Sequence, residues 1–359
     1  MISYPDNKLL TNTRTKVLAP ISFARGLIKY TKKESPIFIR LYFIFMLLSL
    51  GLWTLMVWGQ IGSPTKSSQW VAEVYKHKEQ YANTVKTPKI VVVAGSNGLF
   101  GVDSGILKRA FGREVVNMCV NAGVDLPPIL EHAKRVIKRG DIVLMPLEYP
   151  LYSYDGEPIV QMIDYLYARE PSMIERLGYL EQFWMLWHIS KDRLDRGYSD
   201  GADIPITKGV YGVHNIDRYG DQLHTDSSYQ TEAMREELDN HKAESYGEEF
   251  RSDSLGWNYL EEFVEWCRDR GVSIYFLPST LMDNPHYHND PKKREFYTNL
   301  PQIIRDRGWS YIGEPYNYMY DKSLYFNTNF HLNSRGREIR TKQMIEDILV
   351  FSGENTLPQ

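Results

Sequence analysis

The fold is decided by Lys89–Gly98, KIVVVAGSNG, in which Lys89–Ala94 is a continuous apolar run bounded by Pro88 and Gly95. A strand with one wet face alternates apolar and polar residues. A short unbroken run instead marks a strand buried on both faces, as in a parallel sheet. Two more strands follow, Glu114–Cys119 (EVVNMC) and Asp141–Leu147 (DIVLMPL), with helical stretches over 99–111 and Ile129–Lys138 between them. This alternation predicts right-handed βαβ units and an α/β fold with a doubly wound, flavodoxin-like, mainly parallel sheet. It breaks over a large insertion, about 150–253, which holds helical stretches at Val160–Tyr167 and Tyr179–Ile189 and then a Gly/Asp/Tyr-rich loop. It resumes with helix Leu255–Arg270, strand Val272–Leu277, helix Pro291–Arg307, a short strand near Ser310–Ile312 and a last helix Ser334–Val350. The α/β domain is therefore expected over 88–352, with a frayed tail at 353–359.

Upstream lies Leu41–Trp58 (LYFIFMLLSLGLWTLMVW), 18 residues without a charge. At a rise of about 1.5 Å per residue it spans roughly 27 Å, close to the hydrocarbon thickness of a bilayer. Pro36 suits a first helical turn, and Tyr42, Trp53 and Trp58 suit membrane interfaces. The first forty residues hold eight basic and two acidic side chains, whereas the remainder holds 34 basic and 43 acidic. The positive-inside rule then places a basic tail, 1–35, in the cytoplasm and everything after a transmembrane helix, 36–61, outside. Residues 17–30 fit either a basic amphipathic segment on the inner surface or a solvated tail. Residues 62–87 read as a polar helical stalk. The expected location is the inner membrane, single-pass, with the main domain periplasmic.

Composition bounds the rest. With 359 residues, 43% hydrophobic and 24% charged, the chain is globular in character. A net charge of −3, and an acidic exported part, argue against nucleic-acid binding. Two cysteines, Cys119 and Cys267, cannot build a disulfide framework and read as buried thiols. His286 and His288 stand in a Pro/Asn/Asp loop without a third fixed ligand. No metal and no cofactor is expected.

Two segments carry chemistry. Gly95-Ser96-Asn97-Gly98 follows the first strand and opens a helix, where ligands of open α/β sheets bind. A serine on such a turn presents Oγ to a cleft, and the helix N-terminus favours developing negative charge. Alone, the same residues also describe a capped turn without chemistry. The second segment, Asn327–Asn333 (NTNFHLN), precedes Gly336 and the last helix. A histidine there can fold back over the first strand and act as general base toward Ser96. By itself it is also an ordinary loop histidine.

Together, the strand–Gly-Ser turn and the His-Leu-Asn-x-x-Gly resemble the SGNH (GDSL-like) hydrolase and acyltransferase superfamily over about residues 88–350. The chain is most similar to membrane-anchored members that modify cell-envelope polymers, as in alginate acetylation and lipoteichoic-acid D-alanylation. The resemblance implies Ser96 as nucleophile, His331 as base, and Gly123 of Asn121-Ala122-Gly123 as an oxyanion donor, beside the backbone N–H groups of Ser96 and Asn97. Two positions depart from the family. The third strand ends Pro146-Leu147-Glu148-Tyr149, without the asparagine donor of that block, and Thr328 stands where the family has Asp. Asn327, whose side-chain oxygen can accept from imidazole Nδ1–H, or Glu148, at the end of a neighbouring strand, is left to orient His331. Glu148 equally suits a capping role.

The insertion's Tyr211–Asp221 mixes aromatic faces with hydrogen-bonding groups, as sugar binding requires, and equally fits a polar loop. The substrate-binding candidates are Tyr149, Tyr211, Asn215, Asp217, Asp221 and Asn329. Phe183–Trp187 (FWMLW) reads as helix core or, where exposed, as a patch for the membrane or a partner. These residues imply an O-acyltransferase or esterase acting on an exported polysaccharide, with an integral-membrane acyltransferase as a further partner. The alternative is a catalytically degenerate glycan-binding or scaffold subunit.

Overall fold

The computed structural model describes residues 36–353, in two units that divide after Ile61. The expected basic tail over 1–35, the segment 17–30 within it, and residues 354–359 lie outside the described residues. The first unit contributes helix α1, Pro36–Trp58, 23 residues of mean hydropathy 2.0 over its most apolar window. At about 1.5 Å per residue it is long enough to cross a membrane, and its composition permits it.

The second unit is built on seven short strands: β1 Ile90–Val92, β2 Val115–Asn117, β3 Ile142–Met145, β4 Ser273–Phe276, β5 Leu281–Met282, β6 Ser310–Tyr311 and β7 Met319–Tyr320. Five of them form an all-parallel sheet in the order β2-β1-β3-β4-β6, and β5 and β7 pair separately, also in parallel. In register, Val91 stands between Val116 and Val143. All of β1 is buried, as its unbroken apolar run requires. The chain leaves β1 for β2 on one side and reaches β3 on the other. The strand order therefore reverses at the carboxyl end of β1, where ligands of such sheets bind.

The helices depart from expectation in two places. The stretch 99–111 is two helices, α3 Ser96–Gly101 and α4 Ser104–Phe111. Asp103 starts the second, its side chain accepting from Ile106 N–H at 2.8 Å. The residues read as a polar stalk are instead packed into this unit. Helix α2, Lys66–Thr84, lies against β2, helix Val160–Arg169 and α5, Leu126–Val136. Its buried stripe is Val71, Val74, Tyr75, Lys78 and Ala82, at helical spacing. Lys78 belongs to that stripe because its Nζ donates to the Cys119 carbonyl; burial lowers its pKa to about 8.

The insertion closes the open edge of the sheet: Asn117 N–H on β2 donates to Tyr219 O at 2.9 Å. The aromatic segment expected in the core is two-faced. In helix Tyr179–Trp187, Met185 is fully buried, but Phe183 and Trp187, one turn apart, are 51% and 68% exposed. After the insertion come α6 Leu255–Arg268, α7 Pro291–Asp306 and α8 Ser334–Ser352.

Candidate functional site

The turn after β1 is set by close packing. A side chain at Gly95 would run into Ala122, and one at Gly98 into Cys119, both from the segment after β2. Glycine lets the two crossover turns touch. Ser96 opens α3, half-buried, and its Oγ makes no hydrogen bond among the described residues.

Glu148 grips this turn from below. Its carboxylate accepts from Gly95 N–H and Asn97 N–H, both at 2.8 Å, and the side chain is buried. Burial raises its pKa, and the N–H donors offset only part of that rise. This corrects one alternative for the base-orienting group. Glu148 is spent on capping α3, because its strand delivers it beneath the backbone of the turn rather than beside His331. Asn97 is locked from both sides: its Nδ2 donates to Pro146 O at 2.8 Å, and Arg340 of α8 donates to its carbonyl (2.9 Å) and Oδ1 (2.8 Å).

His331 comes from the loop before α8. An antiparallel bridge between Tyr325 and Leu332 closes that loop, and Phe326 N–H donates to His331 O at 2.7 Å. The imidazole stacks flat on Phe100, with centroids 4.0 Å apart and planes within 5°. Phe100 lies one turn after Ser96 on α3, so the base rests on the face of the helix that the serine begins. His331 Nδ1 is 2.8 Å from Asn327 Oδ1. Nδ1 therefore carries the proton and Nε2 is left as the acceptor. Burial lowers the His331 pKa to about 3, so the ring is neutral at physiological pH. Asn327 Nδ2 in turn donates to Tyr211 Oη at 3.2 Å, and the Tyr211 ring packs edge-on to His331. Thr328 turns its Oγ1 to Phe330 N–H at 3.3 Å and does not face the imidazole. No hydrogen bond joins Ser96 Oγ to His331 among the described residues.

The chain matches no protein-family model and no curated protein.

Of the expected oxyanion donors, two are occupied. Gly123 N–H donates to Asn121 Oδ1 at 2.9 Å, closing a turn of its own, and Asn97 N–H belongs to Glu148. Ser96 N–H remains at the helix N-terminus. The sequence reading passed over Asn121, whose Nδ2 makes no hydrogen bond among the described residues. Its segment touches Gly95, so it stands beside the serine turn with an amide N–H₂ to offer.

The substrate candidates divide sharply. Only Tyr211 reaches His331. Tyr149 is buried in an aromatic cluster, and its hydroxyl donates to Ser279 O at 3.2 Å. Asn215 binds its own loop, donating to Gly209 O and Val210 O. Asp217 holds a turn by accepting from Tyr219 N–H and Asp221 N–H. Asp221 is buried, accepts from Ser104 and Asn117, and is pushed up to about 6, chiefly by burial. Asn329 donates to Glu244 Oε1 at 2.8 Å. Each of these polar groups has partners within the fold, as polar groups inside a fold must. A second residue missed in sequence is Trp70 of α2, which packs on Tyr211 with centroids 5.0 Å apart. His288 pairs with Asp283, and no group of metal-ligating side chains occurs among the described residues. Cys119 and Cys267 are free and buried.

Proposed function

We propose that this chain is a membrane-anchored, extracytoplasmic SGNH-like O-acyltransferase or esterase acting on an exported polysaccharide, with Ser96 as nucleophile and His331 as base. The observation that carries the reading is the stack of His331 on Phe100. Phe100 and His331, 231 positions apart in sequence, meet on the short helix that Ser96 begins at the carboxyl end of the central strand. In this reading α1 anchors the chain, residues 1–35 are cytoplasmic, and the doubly wound sheet is of the SGNH type. Asn327 fixes the tautomer that leaves Nε2 to take the serine proton. Ser96 Oγ attacks the donor ester carbonyl, the donor alcohol leaves with the proton that Nε2 took from the serine, and an acceptor hydroxyl or water then takes the acyl group, giving its proton by way of Nε2 back to Ser96 Oγ. Ser96 N–H and Asn121 Nδ2 hold the oxyanion.

A second reading, a catalytically silent glycan-binding or scaffold subunit, draws on a specific observation. A base with a pKa of about 3, without a carboxylate partner, accepts a proton poorly. Labelling of the full chain with a fluorophosphonate, followed by mass spectrometry of the modified peptide, separates the two. The enzyme reading expects an adduct on Ser96, lost in Ser96→Ala and slowed in His331→Ala. A folded protein whose Ser96 stays unmodified overturns it in favour of the silent subunit.

A further inference from the structure

Helix Tyr179–Trp187 inverts the usual plan of a surface helix. Its one charged side chain, Glu181, points inward. It is buried, and its carboxylate accepts from the hydroxyls of Tyr154 (2.7 Å) and Tyr259 (2.8 Å) and from Gly178 N–H (3.0 Å). Its large apolar side chains point outward: Tyr179, Leu180, Phe183 and Trp187 are 93%, 66%, 51% and 68% exposed. At 3.6 residues per turn these four fall on one stripe about 100° wide, opposite Glu181 and Met185. The Phe183 and Trp187 rings stack, with centroids 6.1 Å apart and planes within 16°. At the end of the helix, His188 Nε2 lies 3.2 Å from Glu157 Oε1, and the nearby Ile159 and Val160 are exposed as well.

A contiguous apolar stripe of this kind marks a surface that is covered in use. Its composition and its place in the chain select a lipid bilayer as the cover. Tyr and Trp carry an apolar body and one polar tip, and with Phe and Leu they concentrate at the boundary between headgroups and acyl chains; none of the four exposed residues is charged. The membrane is also close by along the chain. Helix α1 ends at Trp58 and the second unit begins at Gly62, no more than about 14 Å of extended chain later. Within that unit, Gly62 N–H donates to Tyr167 O at 2.7 Å, Thr65 Oγ1 donates to Asp164 Oδ1 at 2.9 Å, and Asp164 pairs with Arg193 at 2.9 Å. Asp164 and Arg193 belong to helices Val160–Arg169 and Lys191–Ser199, which stand before and after the aromatic helix in sequence. The stripe is thus strung between the two helices that hold the chain's point of entry. Four side chains bind a membrane weakly alone, but a short tether makes the contact intramolecular and raises its effective concentration.

We propose that the Tyr179–Trp187 stripe rests in the headgroup–acyl boundary of the bilayer that α1 spans, as a second membrane contact. The inference rests on the reading of α1 as the anchor. A single tether lets a domain swivel above the membrane, whereas a second contact fixes the face that it turns to the lipid. Phe183 and Leu180 supply the apolar area, and Tyr179 and Trp187 keep their polar tips among the headgroups.

The test uses the full chain in phosphatidylcholine nanodiscs, with a nitroxide on one introduced cysteine at a time: Leu180→Cys in the stripe, Leu48→Cys within α1, and Lys342→Cys on α8, exposed and outside the stripe. Cys119 and Cys267 are buried, and wild-type protein taken through the same labelling gives the background. Power-saturation electron paramagnetic resonance reads the ratio of collisions with oxygen, which enters lipid, to collisions with a nickel chelate, which stays in water. The ratio at Leu180 is expected to exceed that at Lys342 fivefold or more, and to fall to the Lys342 value when Phe183→Glu and Trp187→Glu are added. Both added changes are at exposed positions, so thermal melts should stay level; a double variant that melts early is replaced by Tyr179→Glu, expected to lower the ratio part-way. The proposal is overturned if the Leu180 ratio matches that of Lys342, if the Leu180 label is shielded from both reagents, as a second copy of the chain would shield it, or if the added glutamates leave its ratio unchanged. A high ratio at Leu48 with a low one at Leu180 removes the stripe alone, whereas a low ratio at Leu48 removes the anchor and this proposal together. Fluorophosphonate labelling of the same preparations reports on Ser96 independently.

Discussion

Replacing Asn327 by Asp changes one atom of the proposed site and adds a charge. Asn327 Oδ1 lies 2.8 Å from His331 Nδ1, so Asp keeps the acceptor and the tautomer. Asn327 is half-buried, and the Tyr211 hydroxyl that now accepts from its Nδ2 can rotate to donate. Burial holds His331 at a pKa of about 3. A carboxylate at hydrogen-bond distance raises a neighbouring base by about 1–3 units. Two units correspond to about 2.7 kcal/mol of imidazolium stabilisation. With half of that expressed as Ser96 loses its proton, Asn327→Asp reacts with a fluorophosphonate about tenfold faster at pH 7. The assay is the pseudo-first-order labelling rate of full-length protein between pH 4 and pH 9. The wild-type rate should show no inflection near 6.5, because its histidine is already neutral, and the variant's inflection should move up to roughly 5. If the variant labels no faster, and its profile matches the wild type, Asn327 does not orient a working base.

Two further outcomes follow from the buried groups. Glu148→Gln keeps one acceptor oxygen but turns an amide N–H₂ toward the other backbone N–H, leaving that donor unsatisfied, which costs about 1.5–3 kcal/mol. A thermal melt should therefore fall by roughly 4–10 °C, and an unchanged melt would remove Glu148 from its capping role. His331 gives an acid-side signature. Its folded pKa is depressed, so between pH 6.5 and about 3 the unfolded chain binds a proton that the folded chain refuses. Stability from this group thus falls as pH falls, by about 1.4 kcal/mol per unit. Denaturant unfolding at pH 7 and pH 4.5 should cost the wild type about 2.7 kcal/mol more than His331→Gln, whereas equal losses would mean the imidazole is not held neutral.

The strands were legible because a parallel sheet writes burial directly into sequence: Ile90–Val92 and Ile142–Met145 are apolar at every position. Helix α2 was misread for the opposite reason. Gln69 and Lys78 look like solvent-facing residues, and only a distant carbonyl after β2 makes the burial of Lys78 tolerable. Asn327 could be singled out beside His331 because an amide oxygen near an imidazole can accept from its Nδ1–H, and the two atoms lie 2.8 Å apart. Glu148 could not be assigned, since a buried carboxylate serves a cap or an imidazole with equal chemical fitness, and only the backbone path decides. The insertion misled most. Asn215, Asp217 and Asp221 have the composition of a sugar site, but Asn215 and Asp217 stabilise tight turns, and Asp221 is buried against Ser104 and Asn117.

Arg340 gives the architecture a consequence in time. Its guanidinium clasps the Asn97 carbonyl and side chain, and it stands only nine positions after His331. The arginine that braces the turn follows Asn97 by 243 residues, so the serine turn is fully held only once α8 has docked.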